Sequence, residues 1–574
     1  MHKEHAYDVA ILGSGLAGTI LGACLARNGV RVLLLDAGKH PRFAIGESTI
    51  PHMSMMLKLV GERYQVPEVK YLSNFELAQE NVTRRGGIKR NFGYLYHREG
   101  LRQNSRETHQ FPIPKILAAE NHFFREDTDS FMLSVAKKYG VTVREQTKIV
   151  DVHVDEQGVD VIPEAGDPYR ARYVVDASGF RSPLAQKFDL RQRPTRLRHH
   201  SRSLFTHMEG VLPYEATVPK RRHDTPPTPW SQGTLHHVFH GGWLWAIPFD
   251  NHPGAASTLC SVGLNLDPRL YPVPDCSPEE EFRQFIAKYP DMGNQFRNAR
   301  PVRDWVRTGR LQYSSKQTVG YRWCLTSHAA GFVDPLYSRG LLNSLEIINA
   351  LGWRLLDAIR DDDFDVERFA YVQQLEQGLL DFNDDLVASS YTSWEHFDLW
   401  DVCYRMWGIA QGMSVFESIR SYAEYRDTHD PAVLTRLERQ APEGTVSEYR
   451  PVHDMLRRVH ESMREVRAGG ADPATTAAEL MADLREADFV PPVFGLNDPE
   501  LRWTTTSPLK IMRTLWWAKH EAPKEVGDLT YEGLTFFLRK RLSRREYDLM
   551  AELKHTAAGW PVIGRPLRSL LAKG

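Results

Sequence analysis

Three glycines and an aspartate near the start of the chain have the types and spacing that bind a dinucleotide. Gly13, Gly15 and Gly18 form a G-x-G-x-x-G motif, and Asp36 ends the next apolar segment. The first glycine permits a tight turn, the second lets the backbone approach a pyrophosphate, and the third lets a helix pack closely on a strand. Asp36 can accept hydrogen bonds from an adenosine ribose. These residues predict a dinucleotide site at a helix N-terminus.

A pair of tryptophans marks a second candidate site. Trp243 and Trp245 lie in the segment GGWLWAIPFDN, and their spacing places both indoles on one face if the segment is a strand. Such a pair is typical of an aromatic core strand. Whether the two indoles also form a wall with a function is a question that the rest of the sequence has to answer.

The elements around these residues favour FAD as the dinucleotide. Residues 6–36 read as a strand, a glycine turn, a helix and a second strand, and no other such fingerprint occurs, so the chain is expected to hold either FAD or NAD(P). Later segments, YVVDASGFRSPLA at 173–185 and a strand, loop and helix at 323–351, favour FAD. In the second of these, Asp334 can place a carboxylate on the ribityl chain.

The composition of the whole chain argues against several partners. The 574 residues carry 72 Lys and Arg against 73 Asp and Glu, with both signs spread along the sequence. This balance favours neither nucleic-acid binding nor a membrane surface. Five cysteines without C-x-x-C spacing indicate reduced structural thiols and no metal site. With no signal peptide and no membrane-spanning apolar run, we expect a cytoplasmic protein.

Five segments together resemble the flavin-dependent halogenases. They are GSGLAG at 13–18, GEST at 46–49, GGIKRNFGY around Lys89, WLWAIP at 243–248 and GFVDPLYSRG at 331–340. The resemblance implies a halogenase that uses reduced FAD, O2 and chloride. It is greatest to the halogenases of aromatic polyketide pathways, especially the chlortetracycline type, and next to the phloroglucinol halogenase.

The resemblance also assigns roles to individual residues. Lys89 would be the halogenating residue, acting on hypohalous acid either as a hydrogen-bond donor or through a transient chloramine. Trp243 and Trp245, together with Tyr337, would form the wall that keeps the organic substrate away from the flavin. The remaining assignments are flavin contacts at Arg42, Ser48 and Arg125, and halide binding at the backbone N–H groups of Arg339 and Gly340.

One departure from the family bears on the substrate. The tryptophan halogenases carry a glutamate just before Ser-x-Gly in the last of the five segments, where this chain has Tyr337. A carboxylate helps an indole carbon to lose its proton, whereas a phenol activates its own ring on deprotonation. We therefore expect a phenolic, tetracycline-like polyketide substrate, with a monocyclic or carrier-bound phenol as open alternatives.

The predicted fold class is α/β (α+β). Residues 1–385 are expected to form a Rossmann-type FAD-binding module of the flavin monooxygenase type, with an antiparallel substrate sheet inserted at about 75–120 and 190–310. Residues 386–574 read as a mainly helical region, which could cap the substrate site or serve as core.

A separate NAD(P)H-dependent flavin reductase is the expected partner, because no second nucleotide site is visible.

The sequence leaves two other functions open. An aromatic hydroxylase of the same fold is the nearest enzyme alternative, and a non-catalytic flavin-binding accessory protein is the alternative from another class.

Overall fold

The computed structural model describes residues 6–113, 118–219, 226–439 and 449–539. Its strands are β1 (Tyr7–Leu12), β2 (Val32–Leu35), β3 (Gly87–Lys89), β4 (Asn91–His97), β5 (Thr108–Pro112), β6 (Glu120–His122), β7 (Thr142–Arg144), β8 (Ile149–Val154), β9 (Val159–Pro163), β10 (Tyr169–Asp176), β11 (Arg202–Glu209), β12 (Thr234–Phe239), β13 (Gly242–Pro248), β14 (Leu259–Leu266), β15 (Arg300–Pro301), β16 (Val306–Arg307), β17 (Val319–Gly320) and β18 (Trp323–Leu325).

The α-helices of the described residues include six short or medium helices between the strands. They are α1 (Leu16–Arg27), α2 (Pro51–Arg63), α3 (Phe75–Asn81), α4 (Arg125–Lys138), α5 (Pro183–Lys187) and α6 (Tyr214–Thr217). The later helices are α7 (Pro278–Ala287), α8 (Pro290–Gln295), α9 (Gly340–Asp361), α10 (Ala370–Ser393), α11 (Phe397–Thr428), α12 (Pro431–Arg439), α13 (Arg450–Arg467), α14 (Pro473–Glu486), α15 (Pro508–His520) and α16 (Lys524–Arg539).

The first large sheet positions the nucleotide-binding turn. Its strand order is β17-β18-β10-β1-β2-β7, with β9 also pairing with β10 and β8 with β9. β1 lies parallel to β2 on one side and to β10 on the other, so their carboxyl ends share one edge of the sheet. Parallel strands are covered on both faces, which explains the continuous apolar run of β1. The predicted Rossmann-type module is confirmed.

The second large sheet carries the tryptophan pair. Its order is β15-β11-β14-β13-β12-β4-β5, with β16 also pairing with β11. The pairs are antiparallel, as predicted for the inserted sheet, except that β12 runs parallel to β4. β4 and β5 lie within the predicted insertion 75–120, and β11 to β16 lie within 190–310. A separate two-stranded ladder joins β3 to β6.

The side chains of β13 alternate between two hydrophobic cores. Trp243, Trp245 and Ile247 belong to the large core shared with the first sheet and the helices. Leu244 and Ala246 point to the other face and belong to a core with α7 and α8. Both tryptophans therefore face the same side, as their spacing predicted.

After β18, the secondary-structure elements of the described residues are all helices joined by loops, as predicted for the C-terminal region. α10 spans the predicted boundary at residue 385, so the division into two units stays a prediction. Residues 540–574 of that region lie outside the described residues. Within the described ranges, no helix is long and apolar enough to cross a membrane. All five cysteines are free thiols, and only Cys276 is not fully buried.

Candidate active site

The three motif glycines differ in what surrounds their Cβ positions. Gly13 has φ +102°, and a Cβ there would lie 2.6 Å from the carbonyl oxygen of Ala177. A Cβ on Gly18 would lie 2.0 Å from the Gly13 carbonyl oxygen, so only glycine allows α1 to approach β1 this closely. Gly15 instead faces open space, because apart from its own neighbours along the chain no atom lies within 4 Å of its Cβ position. This open cradle at the N-terminus of α1 fits a dinucleotide pyrophosphate.

Asp36 lies beside this turn at the end of β2 with its carboxylate already hydrogen bonded. One oxygen accepts from the backbone N–H and the hydroxyl of Ser14, at 2.6 and 2.7 Å, and the other from Gly38 N–H at 2.7 Å. Arg42 donates to both oxygens, at 2.7 and 2.9 Å. Burial raises the pKa of Asp36, but these donors outweigh it and hold the pKa below its usual value. The ribose contact predicted for Asp36 therefore needs one of these donors, such as the half-exposed Arg42, to move.

Arg125 anchors the loop that leads into the GEST segment. Its guanidinium donates to the carbonyl oxygens of Ile45 and Gly46, at 2.5 and 3.2 Å, and pairs with Asp129 one turn later on α4. The side chain is 9% exposed. The structure thus gives Arg125 a loop-holding role, and its predicted flavin contact stays a prediction.

Lys89 ends β3 with its ammonium group in a buried pocket. Nζ donates to Ser48 Oγ at 2.8 Å and to the Thr49 carbonyl oxygen at 2.5 Å, and lies 4.1 Å from the Phe92 ring centroid. The residue is only 1% exposed. Burial lowers the pKa of Lys89 well below its ordinary value, although the charge of Glu120 acts in the opposite direction. Ser48 contacts Lys89 in this structure, and its predicted cofactor contact stays a prediction.

The two indoles of β13 are fixed in place by hydrogen bonds. Trp243 Nε1 donates to Asp334 Oδ1 at 3.2 Å, and Trp245 Nε1 donates to Ser261 Oγ at 3.2 Å. Their ring centroids lie 5.5 Å apart, and both residues are at most 4% exposed. Trp245 lies across Gly263 of β14, where any side chain would overlap the indole ring.

The Asp334 carboxylate faces the protein interior. Besides Trp243, it accepts hydrogen bonds from Ser201 Oγ at 2.9 Å and from the backbone N–H of Leu336 at 3.0 Å. Its side chain has no exposed surface. In this structure Asp334 links Trp243 to the loop before α9. The carboxylate contact to a ribityl chain expected of Asp334 stays a prediction.

The predicted halide-binding residues begin α9. Ser338 has φ +53°, and Arg339 is the N-cap residue, so the backbone N–H groups at the start of the helix project from this turn. A Cβ on Gly340 would lie 2.9 Å from His328 Nε2, so a larger residue there would require the imidazole to shift. The Arg339 guanidinium is buried and lies 4.9 Å from the Phe382 ring centroid. Burial lowers the pKa of Arg339, and the charge of Glu346 acts in the opposite direction. The Arg339 side chain is therefore buried, and the predicted halide contact, which uses its backbone N–H group, stays a prediction.

Tyr337 occupies the position that carries glutamate in the tryptophan halogenases. Its hydroxyl shares a 2.6 Å hydrogen bond with Ser390 Oγ, and its ring lies 4.8 Å from the Trp407 ring. Burial raises the pKa of Tyr337, so the phenol is neutral.

An apolar cavity of about 200 Å³ extends from Lys89 to the C-terminal helices. The catalytic half contributes Ile50, Pro51, Lys89, Asn91, Phe92, Phe111, Pro112 and Ile113. The helical half contributes Trp407, Gly408, Gln411, Gly412, Val415, Phe416, Val493, Phe494, Thr504, Thr506, Ile511 and Leu534. Trp394 and Trp400 are buried core residues, whereas Trp407 lines the cavity. The helical region therefore both builds core and covers the candidate substrate site.

The sequence did not indicate which polar groups lie beside Lys89 in the structure. Glu120 lies opposite Lys89 in the β3–β6 ladder, and Thr49 and Ser54 donate hydrogen bonds to its carboxylate. Nothing local marks Glu120, because its importance depends on a strand pairing across a long insertion. The cavity residues after residue 490 were also not identified, because their place opposite Lys89 depends on contacts between distant parts of the chain.

Comparisons with known proteins agree with this geometry. Residues 98–427 match the tryptophan halogenase family model, and residues 11–59 match that of the NAD(P)-binding Rossmann-like domain. The chain is 46% identical to tetracycline 7-halogenase of Kitasatospora aureofaciens, over 92% of this chain and 95% of that enzyme. It is 42% identical to monodechloroaminopyrrolnitrin halogenase PrnC of Pseudomonas fluorescens, over 92% and 94%.

A solved structure extends the agreement to three dimensions. Halogenase PltM, solved in complex with phloroglucinol and FAD, is 34% identical and superimposes with a TM-score of 0.84. The match covers 87% of this chain and 100% of that one. The chain belongs to the flavin-dependent halogenases, enzymes that use reduced FAD, O2 and chloride.

Proposed function

We propose that this halogenase chlorinates an electron-rich phenolic ring of a fused-ring, tetracycline-like polyketide, using hypohalous acid guided by Lys89. One observation supports the assignment most. Among the described residues that line the apolar cavity, Lys89 is the only charged side chain. Its nitrogen can hold a small oxidant at the cavity wall and direct it toward an aromatic ring.

The cofactor site follows from the nucleotide-binding turn. When bound, the reduced flavin reacts with O2 and chloride and supplies the hypohalous acid. Gly13, Gly15 and Gly18 would hold the pyrophosphate at the N-terminus of α1, and the backbone N–H groups of Arg339 and Gly340 would hold the halide. Arg42 and Arg125 would contact the flavin, since Arg42 lies in the loop beside that turn and Arg125, on α4, holds the same loop through the carbonyl oxygens of Ile45 and Gly46.

The tryptophan pair would act as the barrier between flavin and substrate. Both indoles are buried and hydrogen bonded, which supports a rigid wall rather than a mobile one. A rigid wall prevents direct transfer of oxygen to the substrate while the smaller hypohalous acid reaches Lys89. This role separates the chain from hydroxylases of similar fold.

The cavity lining supports a phenol rather than an indole. None of the described lining residues is a carboxylate, and Tyr337 is neutral and hydrogen bonded. A phenol needs no protein carboxylate to activate its ring, because its own oxygen supplies the electrons. The relative named tetracycline 7-halogenase favours a fused-ring polyketide over a small phenol.

Flavin-dependent halogenases rely on a separate flavin reductase and act on small molecules. We propose that the partner of this chain is an NAD(P)H-dependent reductase that releases reduced FAD. The single G-x-G-x-x-G turn supports this view, because one such turn cannot hold both FAD and NAD(P)H at once.

A side-by-side assay tests the substrate proposal. Purified enzyme, flavin reductase, FAD, NADH and chloride are incubated separately with a fused-ring phenol, phloroglucinol, a carrier-bound phenol, an arylpyrrole and tryptophan. We expect chlorination of the fused-ring phenol ortho or para to its hydroxyl, with tryptophan a poor substrate. Efficient turnover of tryptophan or the arylpyrrole, with all phenols inert, would overturn the argument from Tyr337.

A further inference from the structure

One face of α11 forms a wall of the apolar cavity. The residues on this face recur at helical spacing, and they are Trp407, Gly408, Gln411, Gly412, Val415 and Phe416. Gln411 carries the only amide among them. It follows Gly408 and precedes Gly412, so no bulky neighbour on the same face lies directly beside it.

The amide nitrogen of Gln411 has no partner. Gln411 Nε2 is shielded from solvent and makes no hydrogen bond to any of the described residues. Trp407 Nε1, one turn earlier on the same face, is unpartnered as well. Buried N–H groups are nearly always satisfied, by protein, water or a bound ligand. Two donors that line one apolar cavity therefore indicate a ligand with oxygen atoms.

The other polar side chains of the cavity are less suited to hold such a ligand. Lys89 Nζ already donates two hydrogen bonds. Asn91 Nδ2 donates to the Pro229 carbonyl oxygen at 2.8 Å. Thr504 and Thr506 bring hydroxyl groups from the segment before α15. Among the described lining residues, Gln411 is the one whose amide is free to bind a ligand.

Phe92 and Trp407 relate the position of Gln411 to that of Lys89. The Phe92 ring lies 4.1 Å from Lys89 Nζ and 5.6 Å from the Trp407 ring. Gln411 follows Trp407 by one helical turn, a rise of about 6 Å. An aromatic ring system that packs on Phe92 and Trp407 can therefore bring one edge to Lys89 and an oxygen substituent to Gln411.

We propose that Gln411 is a specificity-determining residue, which hydrogen bonds the phenolic oxygen of the substrate and thereby decides which ring carbon faces Lys89. The inference rests on the proposed phenolic substrate. The Gln411 N–H group can donate to a phenolate oxygen, and its carbonyl oxygen can accept from a phenol O–H.

The same hydrogen bond would select against rings without a hydroxyl group. An apolar ring in this cavity leaves the amide unpaired, and an unpaired buried amide opposes binding. A site built to pair with a substrate hydroxyl rejects the analogue that lacks it more strongly than an apolar pocket rejects a change of size.

The test measures how far the protein prefers 1-naphthol to naphthalene. Both are titrated calorimetrically into the full chain with oxidised FAD, so that no turnover occurs. We expect the wild type to bind 1-naphthol at least about tenfold more tightly than naphthalene. Gln411→Met keeps the length of the side chain but removes the amide. It should bind 1-naphthol about tenfold more weakly, with nearly unchanged affinity for naphthalene.

The product of turnover gives a second measurement. With chemically reduced FAD, O2 and chloride, the wild type should favour either the ortho or the para chlorination product of 1-naphthol. In Gln411→Met the ratio of the two products should approach the ratio that free hypochlorous acid gives in solution. Loss of a purely structural contact would lower the rate without this change of ratio.

Two variants control for packing and folding. Val415→Ala enlarges the cavity one turn further along the same face without removing a polar group, so it should leave the preference for 1-naphthol unchanged. Gln411→Asn retains the amide but withdraws it by one methylene, and it should lower the preference. If Gln411→Met fails to fold, Gln411→Asn decides the question by the same comparison.

The outcomes separate this inference from the proposed function. An unchanged preference and an unchanged product ratio in Gln411→Met would overturn the role of Gln411 while leaving Lys89 and the phenolic substrate in place. Equal affinity of the wild type for 1-naphthol and naphthalene would also overturn it. Chlorination of tryptophan or the arylpyrrole, with all phenols inert, would instead overturn the proposed substrate and this inference with it.

Discussion

The side chains proposed to act in the site are oriented by hydrogen bonds to neighbours that have no proposed chemical role. Lys89 donates to Thr49, Trp243 to Asp334 and Trp245 to Ser261. A buried polar group without a partner costs about 1–3 kcal/mol, so each bond restrains its side chain to one position. The chemical groups therefore depend on polar neighbours for their geometry.

Replacing Lys89 by alanine tests the central residue. We expect Lys89→Ala to abolish halogenation, because no other charged group reaches the cavity from the described lining residues. FAD affinity should stay close to that of the wild type, and oxidation of reduced flavin should continue with release of peroxide. Product analysis and a peroxide assay measure the two outcomes. Lys89→Met, which fills the same space, is the control for packing, and chlorinated product from either variant would contradict the role.

The orientation of the Trp243–Trp245 pair gives a second prediction at the scale of single residues. Asp334→Asn keeps the shape of the side chain, but its amide has one acceptor oxygen where the carboxylate accepts from Trp243, Ser201 and Leu336. We expect unfolding to require about 1–3 kcal/mol less and more peroxide to escape per chlorinated product. Denaturant unfolding and the ratio of peroxide to product check both effects. Tight coupling in this variant would show that the wall does not depend on Asp334.

At the level of elements, the β1–turn–α1 unit separates structural from binding glycines. Gly18 is required because α1 contacts the turn, whereas Gly15 faces open space. The two positions therefore predict different consequences for the same substitution.

Gly15→Ala and Gly18→Ala form a matched pair. Gly15→Ala should leave the unfolding temperature of the FAD-free protein unchanged but weaken FAD binding at least about tenfold, because its Cβ enters the space proposed for the pyrophosphate. Gly18→Ala should lower the unfolding temperature as well, since its Cβ would lie 2.0 Å from a carbonyl oxygen. Calorimetry and flavin titration measure both. Equal FAD affinity in Gly15→Ala would place the pyrophosphate elsewhere.

α11 offers a test of the cavity wall. A Cβ on Gly412 would lie 2.4 Å from the Phe494 ring, so Gly412→Ala should push that ring into the cavity. We expect KM for a fused-ring phenol to rise about tenfold, with a smaller change for phloroglucinol. Gly293→Ala on α8, whose nearest atom lies at 3.6 Å, is the control. An equal effect on both phenols would argue against a size limit at this wall.

How far the sequence predicts these elements depends on the range of the signal. The strand, glycine turn and helix of residues 6–36 are local, and their spacing fixed the prediction. The same-face placement of Trp243 and Trp245 is also local. The pairing of β3 with β6 places Lys89 opposite Glu120, although β4 and β5 lie between them in the sequence. No periodicity in the sequence predicts this pairing. The inward turn of Asp334 likewise depends on contacts with β11 and β13.

At the scale of the whole molecule, the sequence contains a single G-x-G-x-x-G turn, which can bind one dinucleotide at a time. We expect purified protein with oxidised FAD and NADH to be inactive, and chemically reduced FAD to restore halogenation without a reductase. NADH absorbance and product formation measure the two. Oxidation of NADH at the rate of turnover would reveal a nicotinamide site and contradict the two-component arrangement.

The cavity has two walls that come from distant parts of the chain. Lys89 and its partners Ser48, Thr49 and Phe92 belong to the first hundred residues, whereas Val493 to Ile511 close the opposite side. Mutations in the wall formed by Val493 to Ile511 can accumulate without disturbing Lys89, the proposed halogenating residue, or the groups that hold it. Descendants of one ancestral enzyme can thus diverge in what they halogenate while inheriting the same chemistry. A mutant library confined to residues 493–511 is consequently the shortest route to new acceptors.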